Sequence, residues 1–256
     1  MAVGFDAVSV ATGVNIGVNG NIQLFTITTS SASVPTFTIT IGATATLALV
    51  WFAPNTNSPG TITASLGGKS LTAVTGATKS LNAAAAQPGT IIWMGVVSPT
   101  TGSNSLTCSM TGAGAGTQCT VGAISFTGTD TQGVNTACFA VGTNNNSVAS
   151  DPITVTAGAS VPSTAMMTAA FCDAAQGLNG TFGGSNTGTI TGIDWDDNGF
   201  VSVGYSRAVG SDVTPTLNAN NNLADLWAAV IVGVQVPQAA PPTGGPSGIG
   251  FVDNEF

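Results

Sequence analysis

The residues of this chain that best match a site of known chemistry lie in the segment GIDWDDNGF at 192–200. Asp194, Asp196 and Asn198 fall on the first, third and fifth positions of a calcium-binding loop, where carboxylate and amide oxygens bind Ca²⁺. The twelfth position is Tyr205 instead of the glutamate that completes such a loop. Two interpretations stay open, a calcium site outside the EF-hand class or a polar β-turn exposed to water, and we assign no metal ligand.

Four cysteines are the next group with chemistry of their own. Cys108 and Cys119 flank the turn-like GAGAG at 112–116, and a symmetric hairpin would place them opposite each other at a separation that suits a disulfide. Cys138 and Cys172 form a second candidate pair if their strands are adjacent. The alternative for all four is a buried free thiol. A zinc site is not expected, because there is no CxxC pair and no histidine.

Catalysis is not expected from this sequence. The absence of histidine excludes Ser-His-Asp and Cys-His mechanisms. A glycosidase needs two separated carboxylates, but the acids at 194–197 share one short segment and Glu255 is the only glutamate. We therefore predict a non-enzymatic protein with no catalytic residue and no cofactor.

Charge is scarce and negative. The 256 residues contain three bases and eleven acids, a formal charge of −8, and only 5% of residues are charged, against roughly 25% in ordinary proteins. The negative charge argues against nucleic-acid partners. Residues 1–10 show no Sec signal peptide, and the longest apolar runs, at 43–51 and 226–234, are shorter than the roughly 20 residues of a membrane span. A surface of Thr, Ser, Asn and Gly suits contacts with other proteins.

The elements that must carry these residues are strands. Short stretches rich in Val, Ile, Thr and Phe alternate with Gly, Asn, Ser and Pro, which predicts an all-β protein with a two-sheet antiparallel sandwich. The predicted strands cover residues 22–29, 35–41, 45–52, 62–66, 91–97, 105–110, 120–126, 136–141, 153–156, 164–171, 187–193, 201–205, 213–217 and 226–234.

Some strands can be predicted in more detail. Thr36, Thr38 and Thr40 alternate with apolar residues, which predicts one face in the core and hydroxyls on the other. The runs at 45–52 and 226–234 are apolar almost throughout, so we expect central strands covered on both faces.

Glycine and tryptophan give two further expectations. Gly67 and Gly68 predict a two-residue hairpin turn with positive φ angles. Trp51, Trp93 and Trp227 lie in the most apolar strands, which favours core positions over a sugar-binding platform.

Three segments are expected along the chain. Residues 1–24 would form an N-terminal strand or arm, and residues 25–235 the β-sandwich domain. Residues 236–256 are an irregular tail rich in Pro and Gly, for which a docking peptide and a disordered terminus are equally open.

The order of several motifs resembles a known family. The motifs run in sequence as FTITTSS at 25–31, TLALVWF at 46–52, ITASLGGKSLTAVTGA at 62–77, IIWMGVVSPTTGSNSLTCSM at 91–110, VGAISFTGTDTQG at 121–133 and LADLWAAVIVGVQ at 223–235. Over residues 25–235 this resembles a jelly-roll-type β-sandwich domain of phage virion and bacterial surface proteins. The resemblance implies a jelly-roll-like fold and no catalytic residues, and it does not extend to the cysteines or to the first 24 residues.

Two functions follow as hypotheses. The first is a structural virion protein, a phage capsid decoration or tail-associated protein made in the host cytoplasm. Its partners would be other virion proteins and its own copies, held by neutral polar contacts. The alternative is a carbohydrate-binding or adhesive module of the cell surface, exported without an N-terminal signal, in which a tryptophan or Tyr205 stacks on a glycan.

Overall fold

The computed structural model describes residues 4–8, 22–26, 37–83, 85, 88–112, 117–174, 181–188, 190–197, 202–220 and 224–237. These residues form eighteen strands, all paired antiparallel, and one helix of four residues, α1 (Val134–Ala137). The prediction of an all-β sandwich is confirmed. The calcium-loop residue Asn198 and the tail from 238 onward lie outside the described residues.

The first half of the chain forms two sheets. Sheet A contains β1 (Gly4–Val8), β2 (Ile22–Thr26), β4 (Leu47–Pro54), β7 (Thr72–Ser80), β8 (Thr90–Val97) and β10 (Gln118–Thr127). Its order is β1-β10-β4-β8-β7, and β2 also pairs with β10. Sheet B contains β3 (Phe37–Ile41), β5 (Thr61–Leu66), β6 (Lys69–Ser70) and β9 (Gly102–Thr111), in the order β3-β9-β5-β6.

The second half forms two more sheets. Sheet C contains β11 (Cys138–Asn145), β13 (Met166–Asp173), β15 (Ile190–Asp197), β16 (Ser202–Val209) and β18 (Trp227–Val234), in the order β11-β18-β13-β16-β15. Sheet D contains β12 (Ile153–Thr156), β14 (Thr181–Ser185) and β17 (Thr216–Asn220), in the order β12-β17-β14.

Three apolar cores hold the four sheets in the layer order B, A, C, D. The outer core between B and A contains Phe52 and Leu106, and the inner core between A and C contains Trp51 and Tyr205. A second outer core, between C and D, contains Phe171. Strands β4 and β18 are buried along their whole length, because successive residues point into different cores. The prediction that these two runs are central strands is therefore confirmed.

The two halves repeat one topology. In the first half, β2 and β7 are additional strands, and the other eight can be numbered one to eight in chain order, from β1 to β10. Sheet A then has the order 1-8-3-6 and sheet B the order 2-7-4-5, which is jelly-roll order. Numbering β11 to β18 in the same way gives 1-8-3-6-5 in sheet C and 2-7-4 in sheet D. The chain thus contains two sandwiches in tandem, sandwich 1 (sheets A and B) and sandwich 2 (sheets C and D), joined by the inner core.

Strand register and sequence carry traces of the same repeat. Strand β10 pairs with β4, and β18 with β13, over eight consecutive residues without a bulge. FTITIGA at 37–43, which begins with β3, parallels ITVTAGA at 153–159, which begins with the equivalent strand β12. The similarity of the two halves is weak in sequence, so the strand pattern predicted two sheets, whereas the described residues form four.

The predicted strands do not include β6, β7 and β14, whereas β1 lies within residues 1–24, where an N-terminal strand or arm was expected. Strand β7 has few large apolar residues, and its pairing with β8 shifts register between Ala73 and Thr78. The side-chain amide of Asn135 in α1 fills this gap, since its Oδ1 accepts a hydrogen bond from Thr75 N at 2.8 Å and its Nδ2 donates one to Ala73 O at 3.3 Å. The strand predicted at 136–141 instead begins as α1 and continues as β11.

Glycine is required in the β5–β6 turn and beneath Trp51. Gly67 and Gly68 have φ angles of 57° and 79° and close the β5–β6 hairpin, as predicted. Gly122 lies under the indole of Trp51, and a Cβ at Gly122 would come within 2.5 Å of the Trp51 ring atoms Cε2 and Cζ2. The central tryptophan can therefore lie flat on β10 only because residue 122 has no side chain.

Candidate interaction surface

The outer face of sheet B consists of hydroxyl side chains alone. Residues of its strands alternate, so Ile39, Leu66 and Leu106 are buried against sheet A while their neighbours point outward. Every outward position in the four strands is Ser or Thr. We call this set the hydroxyl face: Thr38, Thr40, Thr61, Thr63, Ser65, Ser70, Ser103, Ser105, Thr107, Ser109 and Thr111.

Neighbouring hydroxyls on this face bind one another across the β5–β9 pair. Thr63 Oγ1 lies 2.6 Å from Ser109 Oγ, and Ser65 Oγ lies 2.7 Å from Thr107 Oγ1. A hydroxyl has one donor and two acceptor positions, so each paired hydroxyl keeps capacity for a further partner. Such a surface can both donate to and accept from a neutral polar partner.

No charged side chain interrupts the hydroxyl face. Lys69 belongs to the same sheet, but it pairs with the inward-facing Leu66 and its Nζ donates a hydrogen bond to the carbonyl of Ser98. A partner can therefore cover this face without removing an ion from water, which is the costliest step in burying a polar surface.

Sheet D presents the corresponding outer face of sandwich 2, and it is smaller. Thr154, Thr156, Thr216 and Asn218 point outward, and Thr156 Oγ1 lies 3.1 Å from Thr216 Oγ1. Acids border this face. Asp151 and Asp212 are both exposed and lie in the segments that lead into β12 and β17.

The calcium-loop hypothesis places Asp194 and Asp196 in a turn, whereas the structure places both in strand β15. There Asp194 pairs with Tyr205 and Asp196 with Val203 in β16. The residues of an extended strand cannot wrap around one ion as consecutive ligands of a loop do. Within the described part of the chain, no three His, Cys, Asp or Glu side chains lie close enough to hold one metal ion.

All four cysteines are free thiols, so the disulfide alternative is wrong for both pairs. Cys108 lies in β9 of sheet B and Cys119 in β10 of sheet A, so the two do not face each other in a hairpin. Cys138 pairs with Val234 at one end of β18, and Cys172 pairs with Ala228 six residues away. At roughly 3.3 Å per residue, the second pair is about 20 Å apart along the strand direction.

Burial makes these thiols poor nucleophiles. Desolvation raises the pKa of Cys108 and of Cys138 from 9.0 to about 12. It also raises the pKa of Cys119 and Cys172, with smaller contributions from Cys108 and Asp173, respectively. The thiolate is the reactive form, so the folded protein offers almost none of it at neutral pH.

We expect the four cysteines to resist alkylation until the chain unfolds. A pKa raised by three units lowers the thiolate fraction about 1,000-fold. Mass spectrometry after iodoacetamide treatment at pH 8 without reductant should find no label on the native protein and four labels in urea. Fewer than four labels in urea would mean that a disulfide is present.

Four of the five aromatic residues considered for sugar stacking are in the cores, and the side chain of the fifth, Trp195, lies outside the described part of the structure. Trp51 and Trp93 have no exposed surface, and Trp227 and Tyr205 are 4% and 1% exposed. The ring centroids of Trp51 and Tyr205 lie 6.1 Å apart at 48°. The prediction that Trp51, Trp93 and Trp227 are core residues is confirmed, and none of these four rings can stack on a glycan while the chain is folded.

The alternating pattern at 36–40 predicted the outward hydroxyls of β3 but not the wider hydroxyl face. The signal was present in TITAS at 61–65 and SNSLTCSMT at 103–111, where Ser or Thr stands at every second position. Recognising the face required knowing that β3, β9 and β5 are neighbours.

Within the described residues no helix is long and apolar enough to cross a bilayer. Comparisons with protein-family models, with curated proteins and with solved structures find no match to this chain.

Proposed function

We propose that the protein is a non-enzymatic structural component of a phage virion, a capsid decoration or tail-associated protein. The observation that carries the proposal is the hydroxyl face, eleven Ser and Thr side chains without an ion among them. Virion proteins must bind many neighbours without reacting with them. A neutral polar surface on a rigid sandwich suits that task, because association requires little desolvation of charge.

The buried thiols support the same proposal. All four cysteine side chains are packed in apolar cores, and burial suppresses their ionisation. Together with the lack of histidine in the sequence, this leaves few side chains for nucleophilic or acid–base chemistry.

Particle composition tests the proposal directly. Mass spectrometry of particles purified from a lysate of cells producing the phage that encodes this chain should detect the protein at a constant ratio to the major shell protein. Free protein added to the lysate of an unrelated phage is the control for adsorption. The proposal fails if the chain stays in the soluble fraction and no particle contains it.

A further inference from the structure

We propose that the hydroxyl face binds the hydroxyl face of a second copy of this chain, with the two copies related by a twofold axis. This inference rests on the proposed function, since it names one partner of the same surface. Three features carry it, namely the division of charge between the sandwiches, the chemistry of the face and its area.

The two halves of the chain differ sharply in charge. Residues 1–127 contain one acid, Asp6, and two bases, Lys69 and Lys79, for a formal charge of +1. Residues 128–256 contain ten acids and one base, Arg207, for a formal charge of −9. Eight of these acids and the base lie in residues 128–237, which contain sandwich 2, so its formal charge of −7 repels its own copies, whereas sandwich 1 has almost no charge to do so.

Pairing through sheet B keeps the acidic halves apart. Stacked sheets lie about 10 Å apart, so sheet D is about 30 Å from sheet B, and the two D sheets of a pair would be separated by about 70 Å. At physiological salt, charges are screened within about 8 Å. Repulsion between the acidic halves would thus be negligible in this arrangement.

Pairing of sheet B with sheet D is less favourable despite the opposite net charges. Asp151 and Asp212 at the border of sheet D would lose water against a face that offers no base. Taking a carboxylate out of water is costly when the opposing surface supplies no cation. A head-to-tail contact also leaves both ends of the assembly open, whereas a twofold contact closes on itself.

Hydroxyl groups are complementary to themselves, because each donates and accepts. The face is at most about 34 Å long, the length of ten-residue β9, and about 19 Å wide across four strands. That is no more than about 650 Å² per copy, at the low end of specific interfaces. We expect a weak dimer in solution, and contacts of this kind add up when copies are arrayed on a shell.

A charge-swap experiment at Thr107 tests the inference. Thr107 is exposed in the middle of β9, one of the two inner strands of sheet B, so a twofold axis through the centre of the face brings its two copies close together. In sedimentation equilibrium, Thr107→Glu and Thr107→Lys should each weaken dimerisation at least about tenfold, since like charges then meet. An equimolar mixture of the two variants should dimerise at least as well as the unmodified chain.

Thr156 provides the matched control. It is an exposed strand threonine of sheet D with the same kind of cross-strand hydroxyl partner, Thr216. Thr156→Glu and Thr156→Lys should dimerise like the unmodified protein. Raising the salt concentration should leave dimerisation of the unmodified chain unchanged or slightly stronger, whereas a B-to-D contact would weaken.

Several outcomes would overturn the inference. These are an unmodified chain that stays monomeric, Thr107 variants that dimerise normally, a mixture that fails to recover, or a loss confined to the Thr156 variants. The result on particles is independent. A monomeric protein that is nevertheless found in virions would reject self-pairing and keep the proposed function, with a different virion protein on the hydroxyl face.

Discussion

Replacing Trp51 with alanine should lower the free energy of unfolding by about 3–5 kcal/mol, the range for large aromatic side chains removed from a core. Trp51 has no exposed surface and lies in the inner core with Tyr205 and Val230 of sandwich 2. Both sandwiches should therefore lose stability together. Urea unfolding followed by circular dichroism should show one transition at a lower midpoint.

Hydrogen exchange provides the sharper readout for this variant. Protection should fall in β13 and β18 of sandwich 2 as well as in β4 and β10, because all four strands border the inner core. Loss of protection confined to sandwich 1 would show that the two sandwiches unfold separately, contrary to this prediction.

Trp51→Phe is the matched control. It keeps most of the ring volume and removes the indole Nε1, which has no hydrogen-bond acceptor among the described residues. Losing a buried donor that lacks a partner can offset part of the lost packing. We expect Trp51→Phe to change stability by less than about 1.5 kcal/mol.

Alkaline pH should destabilise the protein through its cysteines. The thiols ionise near pH 9.0 in the unfolded chain, whereas Cys108 and Cys138 need a pH of about 12 when folded. Above pH 9 the unfolded state therefore binds fewer protons and is favoured as pH rises. This stability is fully present below pH 9 and is lost as pH rises towards 12.

At pH 10 the free energy of unfolding should be lower than at pH 7 by about 1.4 kcal/mol per thiol, or about 5–6 kcal/mol for all four. Urea unfolding of the unmodified chain at pH 7 and pH 10 measures the total. A Cys108→Ala, Cys138→Ala double variant isolates the contribution of two thiols, and its loss between these pH values should be smaller by about 3 kcal/mol. An identical loss in both proteins would assign the pH dependence to other groups.

Local patterns predicted the features that depend on neighbouring residues. The strands at 45–52 and 226–234 are marked by unbroken apolar runs, and the Gly67–Gly68 turn is marked by its two glycines. The alternation of Thr38 and Thr40 with isoleucines placed one row of the hydroxyl face correctly.

Features that depend on the pairing of strands far apart in the sequence could not be predicted from local patterns. The disulfide hypothesis treated β9 and β10 as a hairpin because they are consecutive, but a jelly-roll connection carries the chain from one sheet to the other between them. The tandem repeat was not recognised because the two halves share the apolar pattern of their strands but few identical residues. Trp93 and Tyr205, for example, lie in the equivalent strands β8 and β16. The acids at 194 and 196 looked like a turn because aspartate is uncommon in strands.

Strand β4 is buried on both sides, so its successive side chains lie in different cores. Leu49 and Val50 are consecutive residues. The Leu49 side chain lies in the inner core, which joins the two sandwiches, whereas the Val50 side chain lies in the outer core of sandwich 1. Truncating Leu49 or Val50 to a smaller residue would therefore probe the stability of two different cores from neighbouring positions of one strand, both of them buried. Any difference between them would report how strongly the tandem units depend on each other.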